Sequence, residues 1–295
     1  MKTSNILDLI GNTPLIQLRG ENIVAKAEFL NPGGSVKDRV ALSMIEAAER
    51  EGLLKPGMKI VEPTSGNTGI GVTMVGAAKG YEVYVVMPDG MSTERRNIIR
   101  AFGGTLVLTP DTDGVDGAVR KANELAKQWG AYMPQQFENS NNPRTHYEFT
   151  GPELWRQTGG NVQAFVAGVG SGGTIQGVGK FLKEHNPNIK IIAVEPANVS
   201  ALLGHEPGLH QIQGIGDGFI PKILDVQMID RVIEVTDDDA IQTTRELALK
   251  NQLLVGTSSG ANVWAARVVG REHPDWLVAT VLPDRAERYF STGLI

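Results

Sequence analysis

Three loops of this 295-residue chain gather glycines and hydroxyls more densely than turn formation alone requires: Thr64-Ser65-Gly66-Asn67-Thr68-Gly69, Gly168-Val169-Gly170-Ser171-Gly172-Gly173-Thr174 and Gly256-Thr257-Ser258-Ser259-Gly260. Each reads as a strand-to-helix loop. At such helix starts, free backbone N–H groups, close-approach glycines and hydroxyl donors can converge on a phosphate or a carboxylate. One such loop is as readily an ordinary helix cap; the three together point to at least two bound anions. Upstream, Asn31-Pro32-Gly33-Gly34-Ser35-Val36-Lys37-Asp38-Arg39 is a turn that breaks into a helix with a lysine among its first residues. The positive end of the helix dipole disfavours a cation there, which would help Lys37 lose its proton and act as an amine nucleophile able to form a Schiff base. A solvated lysine paired with Asp38 is the plainer alternative.

The elements that must position these groups follow from the hydrophobic pattern. Apolar runs at 59–61, 81–87, 105–108, 165–167, 191–194 and 276–282 alternate with helical stretches. One helix is expected over 67–79, stopping at Gly80; another should be capped by Ser92 and stop before Gly103-Gly104. This alternation predicts an α/β fold with mostly parallel sheets covered on both faces, and ligands beyond the carboxyl ends of the strands. The only composition shift is a loop rich in Gly and Pro at 204–221.

Composition narrows the function classes. With 41% hydrophobic and 21% charged residues, the chain can bury a sizeable core and divide into two lobes. It has no apolar run near the roughly 18 to 20 residues that span a bilayer, and no secretory start, so a cytoplasmic location is expected. It has no cysteine, hence neither disulfides nor thiolate chemistry. A net charge of −5 without a basic run argues against nucleic acid and for a small metabolite as partner. His146, His205 and His210 lack the spacing of a metal site.

The motifs resemble the cysteine synthase and cystathionine β-synthase family of fold type II pyridoxal-phosphate enzymes over almost the whole length. The markers are Ile10-Gly11-Asn12-Thr13-Pro14-Leu15, Gly34-Ser35-Val36-Lys37-Asp38-Arg39, Glu62-Pro63-Thr64-Ser65-Gly66-Asn67-Thr68-Gly69, Met91-Ser92-Thr93-Glu94-Arg95-Arg96, Gln135-Gln136-Phe137, Gln213-Gly214-Ile215-Gly216 and Glu287-Arg288-Tyr289-Phe290-Ser291-Thr292. Related dehydratases and racemases usually carry Gly-Asn-His where this chain has Gly66-Asn67-Thr68, which favours the synthase branch. The resemblance implies a two-lobed, tryptophan synthase β-like fold, with 1–36 plus 142–295 as the larger, cofactor-binding lobe and 37–141 as a smaller, mobile, substrate-binding lobe. It implies pyridoxal 5′-phosphate on Lys37, which would also remove and return the substrate α-proton. Gly170, Ser171, Gly172, Gly173 and Thr174 would hold the phosphate, Asn67 the ring oxygen, and Ser258 would face the pyridine nitrogen, where a hydroxyl gives a weaker electron sink than a carboxylate. Thr64, Ser65, Thr68 and Gln136, with Gly216 nearby, would bind the substrate and close over its α-carboxylate. The implied reaction is β-replacement on O-acetyl-L-serine through an α-aminoacrylate, with sulfide as nucleophile, giving L-cysteine by ping-pong kinetics. Members are usually homodimers, and some bind the carboxyl-terminal tail of serine acetyltransferase; these are the protein partners the resemblance suggests.

The chain departs from the family pattern in several places. Gly214-Ile215-Gly216-Asp217-Gly218-Phe219 carries a carboxylate where cysteine synthases usually have alanine. Asp217 could repel sulfide, hold the amino group of homocysteine or activate water, or be a solvated loop residue; cystathionine formation and cysteine-consuming β-replacement that releases hydrogen sulfide are thus the alternative reactions. The double glycine at Gly33-Gly34 resembles cystathionine β-synthases, while Pro283-Asp284-Arg285-Ala286-Glu287-Arg288-Tyr289 resembles B-type cysteine synthases. The spacer at 18–25 is trimmed, and with the last residue Ile295, no haem-binding or regulatory extension is expected. Without an arginine at 204–221, an acetylated donor is preferred over a phosphorylated one. The rivals from other classes are a non-catalytic binding module and a nicotinamide-dependent enzyme. The second rests on Gly168-x-Gly170-x-x-Gly173 after a strand, with Glu195 ending the next.

Overall fold

The computed structural model describes residues 3–64, 66–90 and 92–293. In chain order, the elements that carry the site are β1 (Leu15–Gln17), β2 (Ile23–Lys26), α1 (Lys37–Arg50), β3 (Lys59–Pro63), α2 (Asn67–Ala78), β4 (Glu82–Pro88), α3 (Thr93–Ala101), β5 (Thr105–Thr109), α4 (Gly114–Trp129), α5 (Asn141–Thr145), α6 (Gly151–Gln157), β6 (Ala164–Gly168), α7 (Gly173–His185), β7 (Lys190–Pro196), β8 (Arg231–Val235), α8 (Asp237–Asn251), α9 (Thr257–Glu272) and β9 (Val278–Val281). They form two compact units, 1–10 with 31–142 and 11–30 with 143–295.

In the first unit, β3, β4 and β5 form a parallel sheet in that order. Strand alternation sends Ile60, Val83, Val85 and Met87 into one apolar cluster with α1 and α2, and Val61 and Val86 into another with Ala118, Ala122 and Leu125 of α4. Helix α4 shows its core on one face and stops at Gly130 in the left-handed region (φ +60°), whose N–H bonds the Ala126 carbonyl. Helix α2 is buried from Thr68 to Gly76 because sheet and α1 enclose it. Ser92 caps α3 through the Arg95 N–H, and the helix ends at Ala101. Residues 3–10 and 31–36, expected with 142–295, cluster instead with this unit. Leu7 enters the α1/α2 cluster, and the Gly33 N–H donates to Asp38 Oδ2 at 2.6 Å, tying the turn to its own helix.

The second unit contains a six-stranded sheet in the order β1-β2-β9-β6-β7-β8, parallel except for β1 against β2. Ala164 and Val166 face α8 and α9 on one side; Phe165 and Ala167 face α6 and α7 on the other. Two features differ from the sequence pattern. Strand β2 is wholly buried and ends in Lys26, whose ammonium pairs with Glu153 at 2.7 Å, so a charged residue disguises a core strand. The loop before α9 follows no strand: Val255 makes one isolated bridge to Arg285, and the segment joins α8 to α9.

Helices α1 and α2 meet at Gly71. A Cβ there would lie 2.9 Å from the Lys37 carbonyl oxygen and 3.3 Å from the Ala41 Cβ. Gly71→Ala should therefore cost about 1–3 kcal/mol by overpacking, whereas Gly270→Ala in α9, with open space around it, should be neutral or stabilising by up to about 1 kcal/mol. Thermal unfolding of the two variants beside the parent checks the contrast.

Candidate active site

The first unit holds five of the expected residues, Lys37, Thr64, Asn67 and Thr68 at the ends of β3, α1 and α2 and Gln136 in the segment after α4. Lys37 opens α1 and is half-buried; Asp38 beside it is fully buried and accepts the Gly33 N–H. Asn67 opens α2 with Gly66 as its cap and no side-chain capping bond. Thr64 leaves β3 with its N–H on the Val86 carbonyl, and its hydroxyl accepts the Gly66 N–H at 3.2 Å, folding the loop back on the helix start. Thr68, 2% exposed, donates to Gln136 Oε1 at 2.6 Å, which joins the α2 start to the segment after α4. Ser65 lies outside the described residues.

Glu62, absent from the sequence expectations as a functional residue, underlies this arrangement. It shares the face of β3 with Ile60, is 1% exposed, and accepts the Gln135 N–H at 3.0 Å, with the Gln136 N–H also engaging it. Burial pushes its carboxyl up to about 7, and the two backbone donors offset only part of that penalty. Gln135 itself has φ +55°, unusual for a residue with a side chain. Its signal in the sequence was a carboxylate on the apolar side of a strand, two residues before the Thr64 loop.

In the second unit, the 168–174 loop is fixed where it leaves β6 by one side-chain and one backbone contact. The Gly168 N–H donates to Asn262 Oδ1 at 2.7 Å, and the Val169 carbonyl accepts the Gly216 N–H at 2.9 Å. A side chain at Gly170 would run into the Gly214 carbonyl oxygen, so the loop and the 214–218 segment lie backbone against backbone. Gly172 caps α7 in the left-handed region (φ +80°) with no side-chain cap, and Ser171 and Gly173 are buried. Thr174 Oγ1 lies 3.3 Å from His146 Nε2, and His146 Nδ1 is 3.0 Å from Thr150 Oγ1. His146 thus stands behind the loop at the start of a π-helical turn (His146–Thr150), a supporting place that its lack of metal spacing did not reveal. Ser258, 3% exposed, is the second residue of α9; its neighbours Thr257 and Ser259 are fully buried, with hydroxyls that find no partner among the described residues. Gly216 (φ +73°) also passes its carbonyl to His210 Nε2 at 3.0 Å. Asp217 is exposed, with Oδ2 3.7 Å from where a Gly170 side chain would begin.

Glu195 settles the dinucleotide alternative. It is 2% exposed and already accepts from Ser200 Oγ at 2.7 Å and from the Leu202 N–H at 3.0 Å, so it is turned into its own loop rather than toward a ribose.

The profile of a family described as pyridoxal-phosphate dependent enzyme matches residues 6–284. The chain belongs to that family. It is 51% identical over 298 residues to a Staphylococcus aureus protein named cysteine synthase, the match covering 98% of this chain and 96% of that one. Among solved structures it is similar to O-ureido-L-serine synthase, with a TM-score of 0.96 and 43% identity over 100% of this chain and 95% of that one. It is similar also to O-acetyl serine sulfhydrylase isoform 3 from Entamoeba histolytica, with a TM-score of 0.95 and 40% identity over 100% and 92% of the two chains.

The residues present fit the cofactor of the pyridoxal-phosphate dependent enzymes. The uncapped first turn of α7, entered through Gly170 and Gly172, offers amides to a phosphate. At the start of α9 a buried hydroxyl row offers neutral donors of the kind a pyridine nitrogen would take, and the first unit by itself offers the half-buried lysine at the start of α1.

Two outcomes follow. Gly170→Ala should dislodge the loop from Gly214 and cut retention of pyridoxal phosphate, read as loss of the visible absorbance of the purified protein on dialysis. Because the Glu62 pKa is raised, the folded chain holds this proton more tightly than the unfolded one; stability should fall as pH rises from 4.5 to about 7, by up to about 3 kcal/mol. The melting temperature of the parent should accordingly drop relative to Glu62→Gln between pH 5 and pH 8, and a constant difference would contradict the raised value.

Proposed function

We propose that this protein is an O-acetylserine sulfhydrylase, which replaces the β-acetoxy group of O-acetyl-L-serine by sulfide to give L-cysteine. The observation that carries the reading is the 51% identity to a cysteine synthase over 98% of the chain, together with the Thr68–Gln136 pairing beside the Thr64 loop. Bound pyridoxal phosphate supplies an electron sink at the donor's α-carbon, so that its proton and then its β-substituent can leave.

The chain's own groups do the rest. Lys37 Nζ anchors the cofactor, takes the α-proton once the donor displaces it, and returns a proton after the nucleophile has added. Thr64, Ser65, Thr68 and Gln136 hold the α-carboxylate through hydroxyl, amide and α2 backbone donors, which orients the α-proton toward Lys37. The amides of 170–174 and the Thr174 hydroxyl hold the phosphate; Asn67 supports the ring oxygen. Ser258 leaves the ring nitrogen without a charged partner, so the α-carbon gains only enough acidity to expel a good leaving group. The absence of arginine at 204–221 suits a neutral acetyl rather than a phosphoryl donor. The protein partners that accompany this reading are a second copy of the chain and serine acetyltransferase. No helix among the described residues is long and apolar enough to cross a membrane.

Asp217 supports a second reading. An exposed carboxylate at the edge of Gly170 suits the ammonium of an amino-acid thiol, such as homocysteine, better than it suits sulfide. Asp217→Ala should then raise the KM of homocysteine relative to that of sulfide; an unchanged ratio removes this reading.

Initial rates with varied O-acetylserine and sulfide should give parallel double-reciprocal lines and cysteine as product, and Lys37→Ala should lower kcat by about 10²–10⁴-fold. Intersecting lines, or cysteine formation that survives the loss of Lys37, would overturn the assignment.

A further inference from the structure

The carboxylate-binding groups proposed above sit on elements distant in sequence, and what registers them is a buried acid. Thr68 is fixed by α2. Gln136, 8% exposed, belongs to a segment without regular structure, so its side chain can meet Thr68 only if its backbone is held. Three contacts hold it. Asn142 Nδ2 donates to the Gln136 carbonyl at 2.8 Å, the Gln135 carbonyl accepts the Glu138 and Asn139 N–H groups at 3.0 Å, and Glu62 receives the Gln135 and Gln136 N–H groups. Tyr132 already pairs with β3 through the Lys59 carbonyl and the Val61 N–H, and Glu62 carries that tie on to Gln135 and Gln136, at the strand end from which the Thr64 loop departs. It also secures Gln135 in a left-handed conformation (φ +55°) that a side-chain-bearing residue seldom adopts unaided.

We propose that Glu62 is a positioning residue for the donor's α-carboxylate: by gripping the Gln135-Gln136 backbone from the end of β3, it places the Gln136 side chain against Thr68. The ionised carboxylate has lone pairs for both N–H groups; protonation turns one oxygen into a donor and weakens the grip. This grip should therefore relax as pH falls through the region where Glu62 gains its proton, about 7. Among the described residues, no charged side chain of α1, α2, β4 or α4 is coupled to it. The one titratable neighbour that senses it, Tyr132, has its phenol pushed up to about 12 by burial and stays neutral throughout.

The inference rests on the reading of Thr68 and Gln136 as carboxylate ligands, and the test separates the two. The holoenzyme, Glu62→Gln, Gln136→Ala and the double variant are assayed for O-acetylserine KM and kcat at pH 8 and pH 6. The account expects Glu62→Gln to raise the donor KM about 10-fold at pH 8, with kcat at saturating donor within about 2-fold of the parent. At pH 6 the ratio of variant to parent KM shrinks toward one, and the substitution adds nothing in the Gln136→Ala background. Independently of turnover, the backbone amide resonances of Gln135 and Gln136 in the holoenzyme should shift with a midpoint near pH 7 in the parent and stay flat in Glu62→Gln. Glu62→Asp, which keeps the charge on a shorter arm, should fall between parent and Glu62→Gln. An unchanged donor KM in Glu62→Gln, or effects that add to those of Gln136→Ala, overturns the positioning role while leaving the carboxylate site intact. A Gln136→Ala variant with unchanged donor KM overturns that site and the positioning role with it.

Discussion

The crossing of α1 and α2 at Gly71 is the contact on which the chemistry of the first unit depends. Both helices begin at a residue proposed for the site, Lys37 on one and Asn67 on the other. Two helix starts can serve one small molecule only if their axes run close, and close approach requires a residue without a side chain where the Lys37 carbonyl meets α2. Burial of α2 on all sides then removes the freedom to shift. Lysine position, Asn67 position and the Thr64 turn are thus consequences of one helix packing.

A second economy appears in how anion-binding amides are kept available. Helix starts in an ordinary domain are closed by a serine, threonine or aspartate side chain, as Ser92 closes α3 and Thr236 closes α8. Helices α2, α7 and α9 begin after glycine caps with no side-chain capping bond. Those helices follow the three loops rich in glycine and hydroxyl, so starts without a side-chain cap coincide with the places where a phosphate, a carboxylate or a ring nitrogen would be met. The cost is borne by buried polar contacts elsewhere: Glu62 under the Gln135-Gln136 turn, and Lys26 with Glu153 beneath the Gly11-Asn12-Thr13 segment, where the Asn12 N–H also reaches Glu153 at 2.9 Å.

Much of this is legible in the sequence. The parallel strands at 59–63, 82–88, 105–109, 164–168 and 190–196 are apolar runs bounded by turn residues, and Gly80 and Gly103-Gly104 mark the ends of α2 and α3. Legibility failed where a polar residue served the core. Lys26 hid β2 because its partner Glu153 lies far away in sequence. The alternating Arg231-Val232-Ile233-Glu234-Val235 of β8 carries a weaker apolar signal than the other strands because charged residues stand near both ends. The loop before α9 looked like a strand-to-helix connection because Leu253, Leu254 and Val255 are apolar, yet they form a single bridge. Glu62 and His146 escaped as functional residues for a related reason: each acts by holding another group, Gln136 in one case and Thr174 in the other. Such roles exist only once the fold has joined the parts.

The central claim is that Lys37 carries the cofactor. Borohydride reduction of the holoenzyme followed by proteolysis and mass mapping tests it without reference to turnover. The account predicts a pyridoxyl-phosphate mass increment on the peptide that contains Lys37 and on no other. An increment on a different lysine, or none on a protein that retains its visible absorbance, would contradict it.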